Sequence, residues 1–195
     1  MPKARPELFD AFIAATARLI NEQGVFGVHI EKICEQLGVS KGSFYWYFKN
    51  KEELLVRVAI RFHQETTIDM IKAIETIPDP LERIRQIIKD SFEMLITDRI
   101  HREIWSLTFV YPELQAHMQQ VDKERVEYIH KQFLLAEEAG RLKPGTCLWL
   151  HSQLLVSTFS GLILRWALEP SKQPTAQFEA AAGYFTDIYV NNLER

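Results

Sequence analysis

The spacing of apolar residues is the feature that most constrains the fold of this chain. Apolar side chains recur three and four positions apart along almost all of its 195 residues, as Leu8, Phe12, Ala15 and Leu19 do near the start. A period close to 3.6 residues places such side chains on one face of an α-helix, and no strand-like alternation bounded by hairpin turns occurs. The pattern predicts an all-α protein with nine or ten helices.

Residues that favour helix ends divide this pattern into elements. Gly24 suits the end of the first helix because glycine adopts left-handed dihedral angles without steric cost. Asn50 followed by Glu53 resembles a capping box, and Asp79 before Pro80 places a capping side chain next to a favoured first helical residue. The predicted helices cover approximately residues 6–23, 30–37, 41–47, 50–75, 80–97, 99–109, 112–139, 146–168 and 174–192.

Composition excludes several classes of protein. With 47% hydrophobic and 25% charged residues, the chain is too apolar for intrinsic disorder. It has no run of about 18 apolar residues that would span a membrane, and its first residues lack the apolar core of a secretory signal. Two cysteines, Cys34 and Cys147, form neither a disulfide framework nor a zinc site. We therefore expect a cytoplasmic protein with no metal, no cofactor and no membrane partner.

The charge is unevenly distributed along the chain. The formal net charge of −3 would by itself argue against a nucleic-acid partner. Residues 1–51, however, hold seven basic and five acidic side chains, for a net charge of +2, whereas the remainder carries −5. A mildly basic amino-terminal segment therefore precedes an acidic body. The asymmetry is small, so an uneven surface charge without functional meaning explains it equally well.

Two short predicted helices joined by a three-residue turn suggest a helix-turn-helix. Gly38 would turn the chain sharply, Ser40 would cap the second helix, and the small side chain of Cys34 would let the helices cross closely. Phe44 and Phe48 are expected to form a miniature core with the first helix. A plain helical corner is the alternative explanation of this spacing.

The segment from Gly38 to Leu54, GVSKGSFYWYFKNKEEL, resembles the recognition helix and the following helix of the TetR family of transcriptional regulators. Preceding residues of the first two helices also fit, so the similarity spans about residues 8–56. The resemblance implies an all-α homodimer with an amino-terminal three-helix domain, residues 1–51, that binds double-stranded operator DNA. Residues 52–195 are expected to bind a small-molecule effector and the partner subunit.

The resemblance also assigns residues to the DNA-binding face. Lysines there would release counterions from phosphates, hydroxyl groups would donate to phosphate oxygens, and a glycine would admit the backbone close to DNA. Trp46 is expected either to contact a thymine methyl or sugar or to be buried against the first or fourth helix. His29 stands where the family usually has Thr or Ser, so a weaker cap is expected there. The predicted DNA-binding residues are His29, Ser40, Lys41, Gly42, Ser43, Tyr45, Trp46, Tyr47 and Lys51.

Two helices near the carboxyl end are predicted to form a dimer interface. The helix over residues 146–168 is apolar on two faces, which suits a helix that serves both a core and an interface. With the last helix it would form a four-helix contact between two subunits, and the family resemblance points to the same pair. The predicted interface residues are Phe159, Leu162, Ile163, Trp166, Phe178, Phe185 and Tyr189.

Polar groups within the apolar stripes of the middle helices suggest a ligand cavity. Aromatic, methionine and a few polar side chains are the lining that a mixed pocket needs. Each of these side chains is also compatible with an ordinary core position. The predicted ligand-binding residues are Phe62, Phe92, Met94, Trp105, Phe109, Arg125, Tyr128, His151 and Phe159.

These features together predict a DNA-binding transcriptional regulator, a repressor that a small molecule releases from its operator. A helical enzyme is one alternative, but the six histidines are scattered and the chain has no metalloprotease, nucleophile-elbow or phosphate-loop motif. Glu127 and His130 have the spacing of a di-iron ligand pair, and no second pair matches them. A helical adaptor without DNA affinity is the other alternative, against which the segment 40–51 argues.

Overall fold

The computed structural model describes residues 6–97, 99–167 and 176–195, with the backbone alone at positions 96, 97, 166, 167 and 176–179. Within these ranges the chain forms nine α-helices and no β-strand, so the predicted all-α class is confirmed. No helix in these ranges is both long enough and apolar enough to cross a membrane. The helices are α1 (Pro6–Gln23), α2 (Ile30–Leu37), α3 (Lys41–Tyr47), α4 (Lys51–Glu75), α5 (Pro80–Thr97), α6 (Arg99–Leu107), α7 (Pro112–Glu138), α8 (Leu148–Ala167) and α9 (Ala176–Thr186).

Local chemistry accounts for most of the helix ends. The Asn50 side chain accepts a hydrogen bond from the backbone N–H of Glu53 at 2.8 Å, and Asp79 accepts one from Leu81 at 2.8 Å. Both contacts satisfy backbone donors that the first turn of a helix leaves unpaired. Gly38 ends α2 at φ 65°, a left-handed conformation that a residue with a Cβ adopts only at a steric cost. These three ends are where the sequence predicts them.

Three helix ends differ clearly from the prediction. Helix α6 ends at Leu107 rather than at residue 109, because the Leu107 carbonyl accepts hydrogen bonds from both Val110 and Tyr111 in a turn. Helix α8 begins at Leu148 rather than at residue 146. The last helix changes to a π-helical turn over Asp187–Asn191, and its predicted start at residue 174 lies outside the described residues.

The first of two apolar cores joins the amino-terminal helices to the rest of the chain. Phe12, Ile33 and Phe44 bring α1, α2 and α3 together, and all three are buried. The same core takes in Val58 from α4 and Ile104 from α6. Buried apolar area of this kind resists separation of the elements that share it. The packing therefore continues across the domain boundary predicted at residue 51.

The second core holds together α5, α7, α8 and α9. Phe92, Phe133, Leu155 and Phe185 contribute to it, one from each helix in that order. The carboxyl end of the chain closes this core, because Glu194 forms ion pairs with the arginines at positions 85 and 141. A cavity borders this second core, because Ile88, Ile129, Leu155, Val156 and Phe185 belong to both.

Candidate DNA-binding surface and ligand cavity

Helix α3 is held in place by its amino-terminal cap and by its inner aromatic side chains. The Ser40 hydroxyl accepts a hydrogen bond from the backbone N–H of Ser43 at 3.2 Å, as predicted for a capping serine. Phe44 and Phe48 are buried, and each ring meets the ring of Phe12 edge-on at a centroid distance of 5.7 Å. Edge-to-face rings fix the rotation of the short helix about its axis. The prediction that Phe44 and Phe48 are core residues is confirmed.

Fixing the inner rings turns the remaining aromatic side chains outward. Tyr45 is 57% exposed and Trp46 is 51% exposed, so burial of Trp46 against α1 or α4 is the wrong alternative. Tyr47 is half-buried and lies against Trp46, with ring centroids 4.9 Å apart. Large exposed aromatic side chains cost free energy in water and are typical of recognition surfaces. This outer face of α3 is therefore a candidate contact surface.

Lysines flank the outer face at both ends of α3. The Lys41 ammonium group lies 2.5 Å from the Glu31 carboxylate of α2, and both side chains are exposed. The hydrogen bond to Glu31 raises the pKa of Lys41 above its ordinary value. An exposed ion pair contributes little free energy, so Lys41 is able to exchange Glu31 for a phosphate. Lys51 begins α4, where its side chain is half-buried.

His29 has the backbone of a capping residue without its side-chain hydrogen bond. Its dihedral angles, φ −125° and ψ 133°, are those of an extended residue before a helix. Among the residues that the structure describes, no hydrogen bond joins the His29 side chain to the first turn of α2. The weak cap expected from the sequence is confirmed.

Replacing His29 by serine is expected to stabilise the protein. A serine hydroxyl in this extended backbone reaches the unpaired N–H groups of α2, a contact that contributes about 1 kcal/mol to the free energy of unfolding. The measurement is urea unfolding of His29→Ser beside His29→Ala, which lacks a capping oxygen. If both variants unfold at the same urea concentration, the first turn of α2 does not need a cap.

A cavity of about 420 Å³ lies among α4, α5, α7 and α8, with Phe185 of α9 at one side. That volume falls within the range of small-molecule binding sites. Of the predicted ligand-binding residues, Arg125, Tyr128 and Phe159 line it. Met94 and Trp105 line a smaller space of about 40 Å³ that shares His63, Arg125 and Phe159 with the large cavity.

Four predicted ligand-binding residues do not line either space. Phe62 packs edge-on against His101 at 4.7 Å, and Phe92 is buried in the second core against Phe159 and Phe185. His151 bonds through Nε2 to the backbone carbonyl of Tyr189 at 2.9 Å. Phe109 is exposed beyond the end of α6. Helical periodicity identifies inward-facing residues but does not distinguish a packed core from the wall of a cavity.

The cavity contains a polar cluster that sequence reasoning missed. Arg125 of α7 lies 3.1 Å from Nε2 of His63, on α4, and 3.3 Å from the Asp122 carboxylate. Burial, together with the nearby positive charge of Arg125, lowers the pKa of His63 to about 3, so this imidazole is neutral near pH 7. The His63 and His117 rings are 5.9 Å apart. A lone histidine on an amphipathic helix gives no signal of this arrangement in the sequence.

Two polar atoms beside this cluster are buried without a hydrogen-bond partner among the described residues. They are Nε2 of His117 and the hydroxyl of Tyr128, and both side chains line the cavity. Buried polar groups in folded proteins nearly always find a partner, so such atoms indicate a site that a ligand or water completes. Within the described ranges, no group of three His, Cys, Asp or Glu side chains could hold a metal ion.

The structure places three of the seven predicted dimer-interface residues toward the interior of the chain. Ile163 is 1% exposed and Phe185 is 7% exposed within the single chain. Phe159 is half-buried and lines the cavity. Leu162 and Tyr189 are half-buried. The side chains of Trp166 and Phe178 lie outside the described part of the chain.

The opposite face of α8 is the exposed one. Leu150 is 51% exposed and Leu154 is 48% exposed, one helical turn apart. Tyr184 and Ile188, in the last helical segment, are exposed as well. Large apolar side chains exposed on helices are typical of protein–protein contact surfaces. We call these four residues the exposed apolar face.

Known proteins are similar to the amino-terminal helices of this chain and also to most of its length. A sequence profile described as "Bacterial regulatory proteins, tetR family" matches residues 12–58. The fatty acid metabolism regulator protein of Bacillus subtilis is 24% identical over 180 residues, covering 88% of this chain and 89% of that protein. The regulator TtgR of Pseudomonas putida is 28% identical over 167 residues, covering 81% of this chain and 79% of that protein.

The fold is also found among solved structures. The crystal structure of FadR from Bacillus subtilis in complex with stearoyl-CoA matches with a TM-score of 0.70 at 22% sequence identity. The match covers 93% of this chain and 97% of that one, so the likeness includes the carboxy-terminal helices as well as α1–α3.

Proposed function

This chain belongs to the TetR family of bacterial transcriptional regulators, and we propose that it is a repressor that binds operator DNA through the outer face of α3. The proposal places it in the bacterial cytoplasm, as a regulator rather than an enzyme. The observation that supports DNA binding is the outer face of α3. Tyr45 and Trp46 are exposed there, on a helix that Ser40 caps and that the buried ring of Phe44 holds in place. A helix presented in this way fits the major groove, where side chains reach base edges.

The remaining predicted contacts fit the same surface. Lys41 and Lys51 flank α3 and would contact phosphates, and the hydroxyls of Ser43 and Tyr47 would donate to phosphate oxygens. Gly42 removes a side chain from the first turn, so the backbone approaches DNA closely. His29 precedes α2 at the same end of the domain.

A homodimer is part of the proposal. The exposed apolar face, on α8 and in the last helical segment, would pair with the same face of a second copy around a two-fold axis. Two DNA-binding heads then contact two half-sites about 34 Å apart, one turn of the double helix. Since the net charge of residues 1–51 is only +2, one head alone binds DNA weakly, and useful affinity requires both.

Helix α4 connects the two sites. Lys51 begins it at the DNA-binding surface, and His63, Thr67 and Ile71 farther along line the cavity. A molecule that binds the cavity more tightly in one position of α4 shifts the population of head positions, and heads with the wrong spacing leave the operator.

The test uses an operator duplex selected by the wild-type protein from a randomised DNA library. Lys51→Ala is expected to weaken binding and to reduce the slope of log affinity against log salt by about one unit per head, because one phosphate contact per head is lost. The measurement is a mobility-shift titration at several salt concentrations.

Lys72→Ala is the matched control. Lys72 is an exposed lysine on the same helix, 21 residues from Lys51, a distance of about 30 Å along α4. Its removal changes the net charge equally and is expected to leave the salt slope unchanged. If the two variants have the same affinity and slope, or if no duplex is enriched, the proposed DNA-binding surface is wrong.

A further inference from the structure

The cavity is polar at one place and apolar elsewhere. Ile68, Ile71, Ile88, Val121 and Leu155 supply much of its wall, drawn from four helices. Such a wall binds the apolar body of a ligand by removing its surface from water. Arg125, His117 and Tyr128 all lie on α7. Arg125 supplies a positive charge to the cavity wall, and His117 and Tyr128 supply its unpaired polar atoms.

We propose that the effector is an apolar molecule with one anionic oxygen group, such as a carboxylate, and that Arg125 binds this group. The inference rests on the proposed function, because it names the chemistry of the molecule that occupies the cavity. It also assigns His63 as the residue through which the occupied cavity affects α4.

The contacts of Arg125 leave room for a further acceptor. A guanidinium has five N–H donors, and the described contacts of Arg125 use NH1 toward Asp122 and NH2 toward His63. The contact with Asp122 joins a single pair of atoms at 3.3 Å and is not the bidentate arrangement that saturates a guanidinium. An anionic oxygen of a ligand would therefore find free donors.

The unpaired atoms of the cavity are further donors for a ligand that carries oxygen atoms. The Tyr128 hydroxyl donates a hydrogen bond, and Nε2 of His117 donates one in the tautomer that carries its proton there. A cationic ligand, by contrast, would bring a second positive charge beside the guanidinium.

The contact between Arg125 and His63 is the one that such a ligand would replace. Arginine only donates hydrogen bonds, so Nε2 of His63 is the acceptor and Nδ1 carries the proton, with Thr67 3.4 Å from it. A neutral imidazole is a weaker acceptor than an anionic oxygen. Once held by the free donors, an anionic oxygen competes with His63 for the guanidinium. It draws Arg125 from His63 and loosens a contact between α7 and α4, the helix that continues to the DNA-binding surface.

Three other titratable groups lie near Arg125 or line the cavity. Asp122 is the carboxylate nearest to Arg125, and burial raises its pKa above the ordinary value. Glu124 lines the cavity but is exposed, and it accepts a hydrogen bond from Gln120 at 2.8 Å. Burial lowers the pKa of His117, so this side chain is neutral near pH 7.

The test compares two fluorescent probes that share one aromatic framework. Anilinonaphthalenesulfonate carries an anionic sulfonate group, and phenylnaphthylamine is the same framework without it. Fluorescence titration of the purified wild-type protein is expected to show at least about tenfold tighter binding of the sulfonate, the effect of one charge-assisted hydrogen bond. The double variant Arg125→Met with Asp122→Asn removes both charges together, so no buried charge is left unpaired, and it is expected to bind both probes equally.

Two further variants locate the binding. Lys89→Met removes an exposed lysine of α5 and is expected to keep the preference for the sulfonate. Ser91→Phe places a large side chain in the cavity and is expected to weaken the binding of both probes. The proposal of an anionic head group is wrong if wild-type protein binds the two probes equally. It is also wrong if the double variant still prefers the sulfonate. Neither result affects the proposed function. Binding that Ser91→Phe does not affect would overturn the cavity itself as the effector site.

Discussion

Replacing Leu150 and Leu154 together by glutamate is expected to leave the protein monomeric and to weaken its binding to operator DNA by about a hundredfold or more. Both side chains belong to the exposed apolar face, at 51% and 48% exposure in the single chain. Because a two-fold interface uses the same surface on both subunits, two substitutions place four carboxylates in one apolar contact. Charges buried without partners oppose association strongly.

The loss of affinity follows from the loss of the second head. When two heads belong to one dimer, binding of the first raises the effective concentration of the second, which increases affinity by about two to four orders of magnitude. A monomer keeps an intact α3 surface but not this advantage. Sedimentation equilibrium gives the mass of the variant, and a mobility-shift titration with the selected operator gives its affinity.

A matched variant tests whether the position of the added glutamates matters. Phe109 and Val110 are also exposed apolar neighbours, at the turn after α6, and their double replacement by glutamate adds the same charge elsewhere. This control is expected to remain dimeric and to bind the operator. A dimer of unchanged stability with glutamates at positions 150 and 154 would show that the subunits meet through another surface.

Replacing Phe44 by alanine is expected to lower the free energy of unfolding by about 3–5 kcal/mol. The ring is fully buried between Phe12 and Phe48, so its removal loses apolar burial and leaves a cavity in the first core. Because that core also holds α4 and α6, the loss weakens the attachment of the DNA-binding helices to the rest of the chain. Urea unfolding followed by circular dichroism measures the change.

Tyr45→Ala is the control for Phe44→Ala on the same helix. Tyr45 is exposed, so its replacement is expected to change the free energy of unfolding by no more than about 0.5 kcal/mol. It is nevertheless expected to weaken operator binding, because its side chain lies on the outer face of α3. If Tyr45→Ala destabilises the protein as much as Phe44→Ala does, the orientation of α3 described above is incorrect.

Much of the fold can be predicted because its signals are local. The hydrogen bonds of Ser40, Asn50 and Asp79 to the first turns of their helices depend on residues two or three positions away. The sequence predicts Phe44 and Phe48 as core residues beside α1, whereas the exposure of Tyr45 and Trp46 comes from the structure. The weak cap at His29 is likewise visible in the sequence, because imidazole is a poor capping group.

The sites in the carboxy-terminal helices could not be predicted to the same extent. Helix α8 is apolar on both faces, and its sequence does not reveal which face packs inside the chain. The prediction chose Phe159 and Ile163 for the interface, and these face inward, whereas Leu150 and Leu154 on the other face are exposed. The choice depends on where α7 and α9 lie, and no local signal records that.

The sequence by itself determined the helical class, most helix ends and the buried positions of Phe44 and Phe48, because each depends on residues within one or two turns. Only the tertiary structure decided which side chains surround the cavity and which remain exposed. His63 and Arg125 are 62 residues apart in the chain and meet because α4 and α7 pack side by side. Contacts at such separation are set by the packing of whole helices, so the chemistry of the cavity emerges only from the folded chain.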